Sequence, residues 1–513
     1  MKDNWFRNLI VILLVIGVFF RFYNLEKKVY WYDETMTSLR VSGNTQTELV
    51  QQVFDGRIIS VEELLQQYQY PNQEKSLSDT INALAGNPEH SPLYYLTARF
   101  WLQLFGNSVV TIRLLSALIS LLALPCTYWL CWELFGSAIV AWVGVAIIAI
   151  SPFHILYAQE AREYSLWTVA ILLSGAALLQ ARRLKNWQNW LIYSLTVTLG
   201  LYTHPFSAFV SIGHGIYLLI TEGLRPTKQF INYVLSSLLG LLLFVPWLLI
   251  VVTNFSNFLS NTASVNLNRS GFLPLFWGLN LSRIFFDLNQ GTSPFSPLHY
   301  LAAFLSIYAL YYLYRQAPLK VWLFIITLIG VTGTALIAPD VILGGRRSSI
   351  TRYAIPCYLG IQIAVAYLIA QKCLIKPAGK RNKKRWRYVA IALIFSGILS
   401  GIVSSQLPVW WHKSQAKSRY NPAVAEIINQ TEQPLVITDE IPGRVLSIAH
   451  LLKPDTQLQL VVEPAIPKIT ADFNNVFLYR PSDNLKQGIE QKYNTQAESS
   501  YKSWLWEIDL LHN

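Results

Sequence analysis

Residues 8–35 read NLIVILLVIGVFFRFYNLEKKVYWYDET. The apolar run at 8–22 follows Lys2 and Arg7 and has no small-residue cleavage site after it. It therefore reads as a retained signal-anchor, directed from inside to outside. Just beyond it, Tyr30, Trp31 and Tyr32 precede the adjacent acids Asp33 and Glu34. Aromatic rings mark the headgroup level of a bilayer. Carboxylates held against such a boundary acquire perturbed pKa values and can act as bases. Two solvated acids at a helix start would satisfy the same local pattern, because acids favour the N-terminal end of the dipole. The rest of the chain decides between these readings.

Of the 513 residues, 53% are hydrophobic and 14% charged, against roughly 25% charged in soluble domains. The composition is that of a polytopic all-α membrane protein. Apolar segments of spanning length follow near 111–132, 136–157, 163–181, 187–203, 205–221, 229–253, 297–314, 320–338, 351–371 and 387–405. With the first, that makes about eleven spans. The net charge of +12 does not point to nucleic acid, because much of it lies in short clusters between spans. Arg182-Arg183-Leu184-Lys185, Arg225 to Lys228, Arg315 to Lys320 and Lys372 to Arg387 all fall on the cytoplasmic side when eleven spans are counted. The N-terminus is then cytoplasmic and the tail extracytoplasmic, in the plasma membrane. The apolar stretch 91–106 would break this parity as a span and reads as a helix along the outer surface. Cys126, Cys131, Cys357 and Cys373 lie in or beside apolar helices and form no disulfide framework.

Polar residues gather at the turns expected to be outside. Residues 23–90 form a long outer loop, Gln-, Asn-, Ser- and Glu-rich from about 42 to 86, which reads as a solvated excursion with short helices. It ends in Asn87-Pro88-Glu89-His90-Ser91-Pro92-Leu93-Tyr94-Tyr95, where proline suits a helix entrance able to hold an anion. Arg113 stands at the outer end of the next span. Ser151-Pro152-Phe153-His154-Ile155-Leu156-Tyr157-Ala158-Gln159-Glu160-Ala161-Arg162-Glu163-Tyr164 is far more polar than a short hairpin needs. His204 occupies another outer turn. His214, mid-span, reads as a helix–helix hydrogen-bonding histidine. The loop 254–296 carries Arg283 and Asp287. Residues 339–353 carry Arg346, Arg347 and Arg352 against the positive-inside trend, and arginine's planar fork suits phosphate. The tail, 406–513, reads as a small extracytoplasmic α/β domain with a mostly parallel sheet. Strands are expected near 435–438, 458–462 and 476–479, and helices near 421–430, 443–452 and 484–493. Two domains follow: 1–405, spanning the membrane and carrying the acidic motif on the loop 23–90, and 406–513.

The ordered set Trp31-Tyr32-Asp33-Glu34, Glu89-His90-Ser91-Pro92-Leu93-Tyr94-Tyr95, Leu104-Phe105-Gly106 with Arg113-Leu114-Leu115-Ser116-Ala117, and Ser151-Pro152-Phe153-His154 with Gln159-Glu160-Ala161-Arg162 resembles the GT-C membrane glycosyltransferases. It looks most like the bacterial branch related to protein O-mannosyltransferases and aminoarabinose lipid A transferases, over roughly 1–370. The resemblance implies a GT-C-like fold and transfer of a sugar from a polyprenyl-phosphate donor to a lipid, glycan or protein acceptor hydroxyl. It makes Asp33 the catalytic base with Glu34 in support. It places His90 and Arg113 at the donor phosphate and matches Glu89 to a residue that helps hold a metal in one branch. No ligand spacing for a metal is visible here, so no cofactor is certain and a divalent ion is left open. The tail departs from both branches and leaves the acceptor unnamed.

Such chemistry needs a base for the acceptor and cations for the departing phosphate. The donor-phosphate candidates are His90, Arg113, Arg346, Arg347 and Arg352. Candidates for substrate contact are Glu89, Tyr94, His154, Glu160, Arg162, Tyr164 and His204. The rival reading is a lipid-linked saccharide flippase or transporter, which would set ionisable groups near the midplane and often show internal repeats. Here one mid-span histidine and no visible repeat oppose it.

Overall fold

The structure, a computed structural model, describes residues 4–263, 272–291, 297–375, 379–413, 417–470, 472–473 and 475–509. Part of the expected loop 254–296, namely 264–271 and 292–296, and residues 376–378 of the basic run lie outside the described residues. The chain divides into two compact units. One comprises Met1–Leu25, Asn87–Tyr94 and Arg113–Gln406, the other Glu26–Gly86, Tyr95–Ile112 and Leu407–Asn513.

The first unit is helical. Every one of the expected apolar segments is a helix or a helix pair, from Asn4–Phe22 through Val109–Phe135 to Gly379–Gln406. Seven are long and apolar enough to cross a membrane, or eight counting one bent pair. Trp187–Thr203 and Ser207–Thr221 are shorter, and Pro297–Gln316 is more polar. The bent pair, Ala138–Ile150 and Pro152–Ala158, turns by 58°. Pro152 cannot donate a backbone hydrogen bond into the preceding turn, so the helix breaks there. The break leaves carbonyls without helical partners, which an apolar medium does not tolerate. Arg21, fully buried, meets that need: Nη1 donates to the carbonyls of Ala149 (2.6 Å) and Gly17 (2.7 Å), and Nη2 donates to Ile148 (3.1 Å). Gly17 allows the approach, since a Cβ there would stand 2.4 Å from the Ala149 oxygen. His214 links two helices as expected, with Nδ1 3.1 Å from the Tyr193 hydroxyl.

The second unit is a six-stranded sheet with helices: β1 (Asp55–Ser60), β2 (Pro434–Thr438), β3 (Gln457–Val461), β4 (Asn475–Tyr479), β5 (Ala497–Tyr501) and β6 (Leu505–Ile508), in the order β1-β3-β2-β4-β6-β5. The three expected strands and three expected helices are present. The sheet is mixed rather than mostly parallel. Only β3-β2-β4 run parallel, while β1 pairs antiparallel with β3, β6 with β4, and β5 with β6.

The origin of β1 is a second correction. It comes from the first loop, so the stretch expected as a solvated excursion is built into the same core as the tail. Leu49, Val53, Leu64 and Tyr68 are buried with Val424, Leu446, Leu458 and Phe477 in one apolar cluster. Helix Leu93–Phe105, from Tyr95 onward part of this unit, has 13 residues. That is too short for a span of about 20. Its Phe100, Leu104 and Phe105 are exposed, while Arg99 is buried and donates to the carbonyls of Val41 and Ser42 and to Thr80 Oγ1.

Candidate active site

In the second unit the acidic pair sits in the first turn of helix Tyr32–Ser42, after an extended Trp31. Acids are favoured there because the first N–H groups of a helix lack intrahelical partners. The helix start is fixed from the tail: Thr35 Oγ1 donates to the Gly443 carbonyl (3.0 Å), and Ser447 Oγ donates to the Tyr30 carbonyl (2.8 Å). Glu34 is fully buried, whereas the Asp33 side chain keeps 12% exposure. Lys417 Nζ lies 3.5 Å from Asp33 Oδ1, and its ammonium sits over the Tyr32 ring at 4.1 Å. Burial, with Asp33 beside it, holds the Tyr32 phenol above its ordinary pKa against the pull of Arg40 and Arg444. Lys417 was not foreseen. It belongs to a tail that shows no motif, and only its side-chain charge could have drawn notice.

In the first unit four candidates converge. Arg162 Nη2 donates to Glu163 Oε1 (3.0 Å) and to the Tyr164 hydroxyl (3.2 Å). The guanidiniums of Arg162 and Arg352 lie 5.4 Å and 5.8 Å from the centroid of the Tyr164 ring. His204 is buried beside them, stacked on Trp167 at 4.0 Å. Burial and then the charges of Arg162 and Arg352 depress its pKa to about 3, so the ring is neutral at physiological pH. Its Nδ1 accepts the Phe206 N–H (3.2 Å), which leaves Nε2 as the protonated nitrogen. Two guanidiniums drawn from distant parts of the sequence thus meet at one ring, with Glu163 paired to the first.

The other candidates of the first unit have contacts of their own. His90 Nε2 lies 3.7 Å from Glu89 Oε1, and Glu89 Oε2 accepts from Asn261 Nδ2 (3.2 Å). Tyr94 is fully buried with its hydroxyl 2.7 Å from Ser116 Oγ, which in turn donates to the Arg162 carbonyl (3.4 Å). Tyr94 is thus linked through Ser116 to the backbone of Arg162. Arg113 is fully buried and donates to the Leu25 carbonyl (2.7 Å). The Glu160 carbonyl accepts the Arg162 N–H (2.7 Å), and Glu160 is buried. His154 lies among helices, its Nε2 2.9 Å from Gln362 Oε1.

The three arginines of 339–353 separate. Arg346 is exposed. Arg347 lies 3.8 Å from Asp340. Only Arg352 reaches Tyr164. Asp340, fully buried, organises the turn by accepting the Ser348 N–H (2.6 Å) and hydroxyl (2.7 Å). Asn280 holds the turn from the other side, donating to the Ser349 carbonyl (2.9 Å) and accepting from Thr351 Oγ1 (2.9 Å) and Arg283 Nη1 (2.7 Å). Among the described residues no group of three or more His, Cys, Asp or Glu could hold a metal ion. Glu89 and His90 alone do not supply the donor set a bound divalent ion needs.

Residues 89–250 match the family described as dolichyl-phosphate-mannose-protein mannosyltransferase. No curated protein matches the chain in sequence. Among solved structures, ArnT from Cupriavidus metallidurans bound to undecaprenyl phosphate is 14% identical with a TM-score of 0.57, over 100% of this chain and 99% of that one. The apo oligosaccharyltransferase of Archaeoglobus fulgidus is 12% identical with a TM-score of 0.51, over 90% of this chain and 65% of that one. The archaeal oligosaccharyltransferase AglB from the same organism, in complex with an inhibitory peptide and a dolichol-phosphate, is 13% identical with a TM-score of 0.50, over 88% and 65%. The chain is a multi-pass membrane protein with an ArnT-like fold. The matched stretch begins at Glu89 and runs past His204, so it includes most of the motifs on which the resemblance to membrane glycosyltransferases rests.

Proposed function

We propose that the chain is a membrane glycosyltransferase that moves a sugar from a polyprenyl-phosphate donor to an acceptor hydroxyl outside the cytoplasm. The observation that carries this reading is the convergence of Arg162 and Arg352 on Tyr164. Departure of a lipid phosphate builds negative charge on its oxygens, and fixed guanidiniums in a dry site stabilise that charge strongly. His204, neutral and protonated on Nε2, would add a hydrogen-bond donor without adding charge.

Asp33 is the general base of this proposal. As the acceptor oxygen attacks the sugar opposite the phosphate, its proton passes to the carboxylate, and the anomeric configuration inverts. The exposure difference within the pair favours Asp33, because Glu34 is sealed from solvent. Lys417 Nζ, 3.5 Å from Asp33 Oδ1, sets a positive charge beside the carboxylate. The donor classes named for the matched family and the ArnT fold agree with a lipid-phosphate donor. The acceptor can be a lipid, a glycan or a protein.

The purified chain supplied with a radiolabelled polyprenyl-phosphate sugar and membrane extract tests the proposal. Label should appear in an acceptor and free polyprenyl phosphate should accumulate. Movement of intact donor across a reconstituted bilayer, with no label transferred, would instead establish a flippase.

A further inference from the structure

The helices Asn4–Phe22 and Gly379–Gln406 touch at one end and part at the other. Their contact end is fixed by glycine. A Cβ at Gly401 would meet the Phe20 ring at 2.8 Å, one at Gly397 would meet the Ile150 carbonyl oxygen at 2.7 Å, and Gly17 packs on Ala149. Toward their N-termini the two helices diverge and leave a wedge of about 470 Å³, lined by Leu9, Leu13, Ala146, Cys373, Ala390 and Ile394 among others. Cys373 and Leu374 belong to a π-helical turn, Gln371–Ile375. Such turns are rare and recur at functional sites. Among the described residues, Arg387 is the one charged side chain of the lining, at the mouth. Arg387 and Lys383 both act electrostatically on Cys373. They belong to the run Lys380-Arg381-Asn382-Lys383-Lys384-Arg385-Trp386-Arg387, which holds no acid. Trp5 and Ile391 at the rim are exposed.

We infer that this wedge is a binding site for an anionic phospholipid of the bilayer, with an acyl chain between the two helices and the phosphate on Arg387 and Lys383. The apolar lining excludes a water-soluble anion, and a mouth whose described lining carries a cation and no acid discriminates against zwitterionic headgroups. The site belongs wholly to the first unit, shares no residue with the proposed active site, and stands independently of the proposed reaction.

Native mass spectrometry of the full chain in detergent, with phosphatidylglycerol or phosphatidylcholine of identical acyl chains, tests it. Phosphatidylglycerol should be retained at least about 5-fold more strongly than phosphatidylcholine, since a single basic side chain at a headgroup already gives that preference. The double variant Arg387→Gln/Lys383→Gln, altered only at the polar mouth, should lose the preference while still binding both lipids. Ala390→Trp should fill the wedge and lower retention of both. Equal retention of the two lipids by the unaltered chain, or unchanged retention in Ala390→Trp, would overturn the inference. Displacement of bound phosphatidylglycerol by equimolar undecaprenyl phosphate would assign the wedge to the carrier and overturn it as well.

Discussion

Tyr164 carries two guanidiniums on its ring, and neither partner of that arrangement is near the other in sequence. In the sequence Arg352 is no different from Arg346 and Arg347, because a run of arginines says nothing about which side chain points inward. The buried Asp340 makes the distinction. It engages Ser348 and Arg347, while Arg352 is the one of the three that lies over Tyr164. Truncating Arg352 to Ala should therefore weaken donor binding by about 1.5–3 kcal/mol, the worth of a charge-assisted hydrogen bond, whereas Arg346→Ala should leave it near the unaltered value. Titration of the purified chain with polyprenyl-phosphate sugar measures both. Equal losses in the two variants would return the grip to the whole loop.

His204 yields a second prediction at the same scale. Its folded pKa of about 3 lies below the ordinary value near 6.5. Between those values the unfolded chain binds a proton that the folded chain refuses, so stability falls as pH drops from about 6.5 toward 3. His204→Gln should flatten that decline in thermal unfolding measured across the window. An identical decline in the variant would place the acid sensitivity elsewhere.

Among elements, the apolar helices were legible because each must satisfy its backbone internally in lipid, and that demand is written as length and composition. Strand β1 was not. Residues 55–60 read Asp-Gly-Arg-Ile-Ile-Ser, a stretch too polar and too short to suggest a strand. It becomes one because β3 offers an edge, with Ile59 opposite Leu458. The hairpin β5–β6 was missed for the same reason: its outward residues Glu498 and Glu507 conceal the alternation. The helix that carries Asp33 depends on another such contact. A Cβ at Gly443 would stand 2.6 Å from the Tyr32 ring, so Gly443→Ala should displace Tyr32 and cost about 1–3 kcal/mol, as overpacking does. Thermal unfolding would register it as a lowered midpoint. An unchanged midpoint with full transfer would show that Tyr32 can swing aside freely.

For the molecule as a whole, the tail and the first loop form one folded unit, and the acidic motif depends on both. A chain ending at 406 would strip β2 to β6 from β1 and expose Leu49, Val53 and Leu64. Limited proteolysis of that truncated chain should cut within 46–86, where the full chain resists. Orientation rests on the charge clusters alone. Cysteines placed at Asp33 and Arg352 should react with an impermeant reagent from outside the cell, and one at Arg183 should react only from the cytoplasm. The proposed function was legible only as a class, through the resemblance carried by the acidic pair, His90 and Arg113, while the tail bears no pattern that names an acceptor.

The most direct test of the account compares transfer by Asp33→Asn and Glu34→Gln, using purified polyprenyl-phosphate donor and measuring donor affinity alongside. Asn keeps the shape of Asp and removes its basicity, so transfer should fall by about 10²–10⁴-fold, as for loss of a general base. Donor binding should persist, because the arginines proposed to grip the phosphate are untouched. Glu34→Gln should do less damage to turnover. Near-normal transfer in Asp33→Asn together with its loss in Glu34→Gln would contradict the assignment of Asp33 as the base.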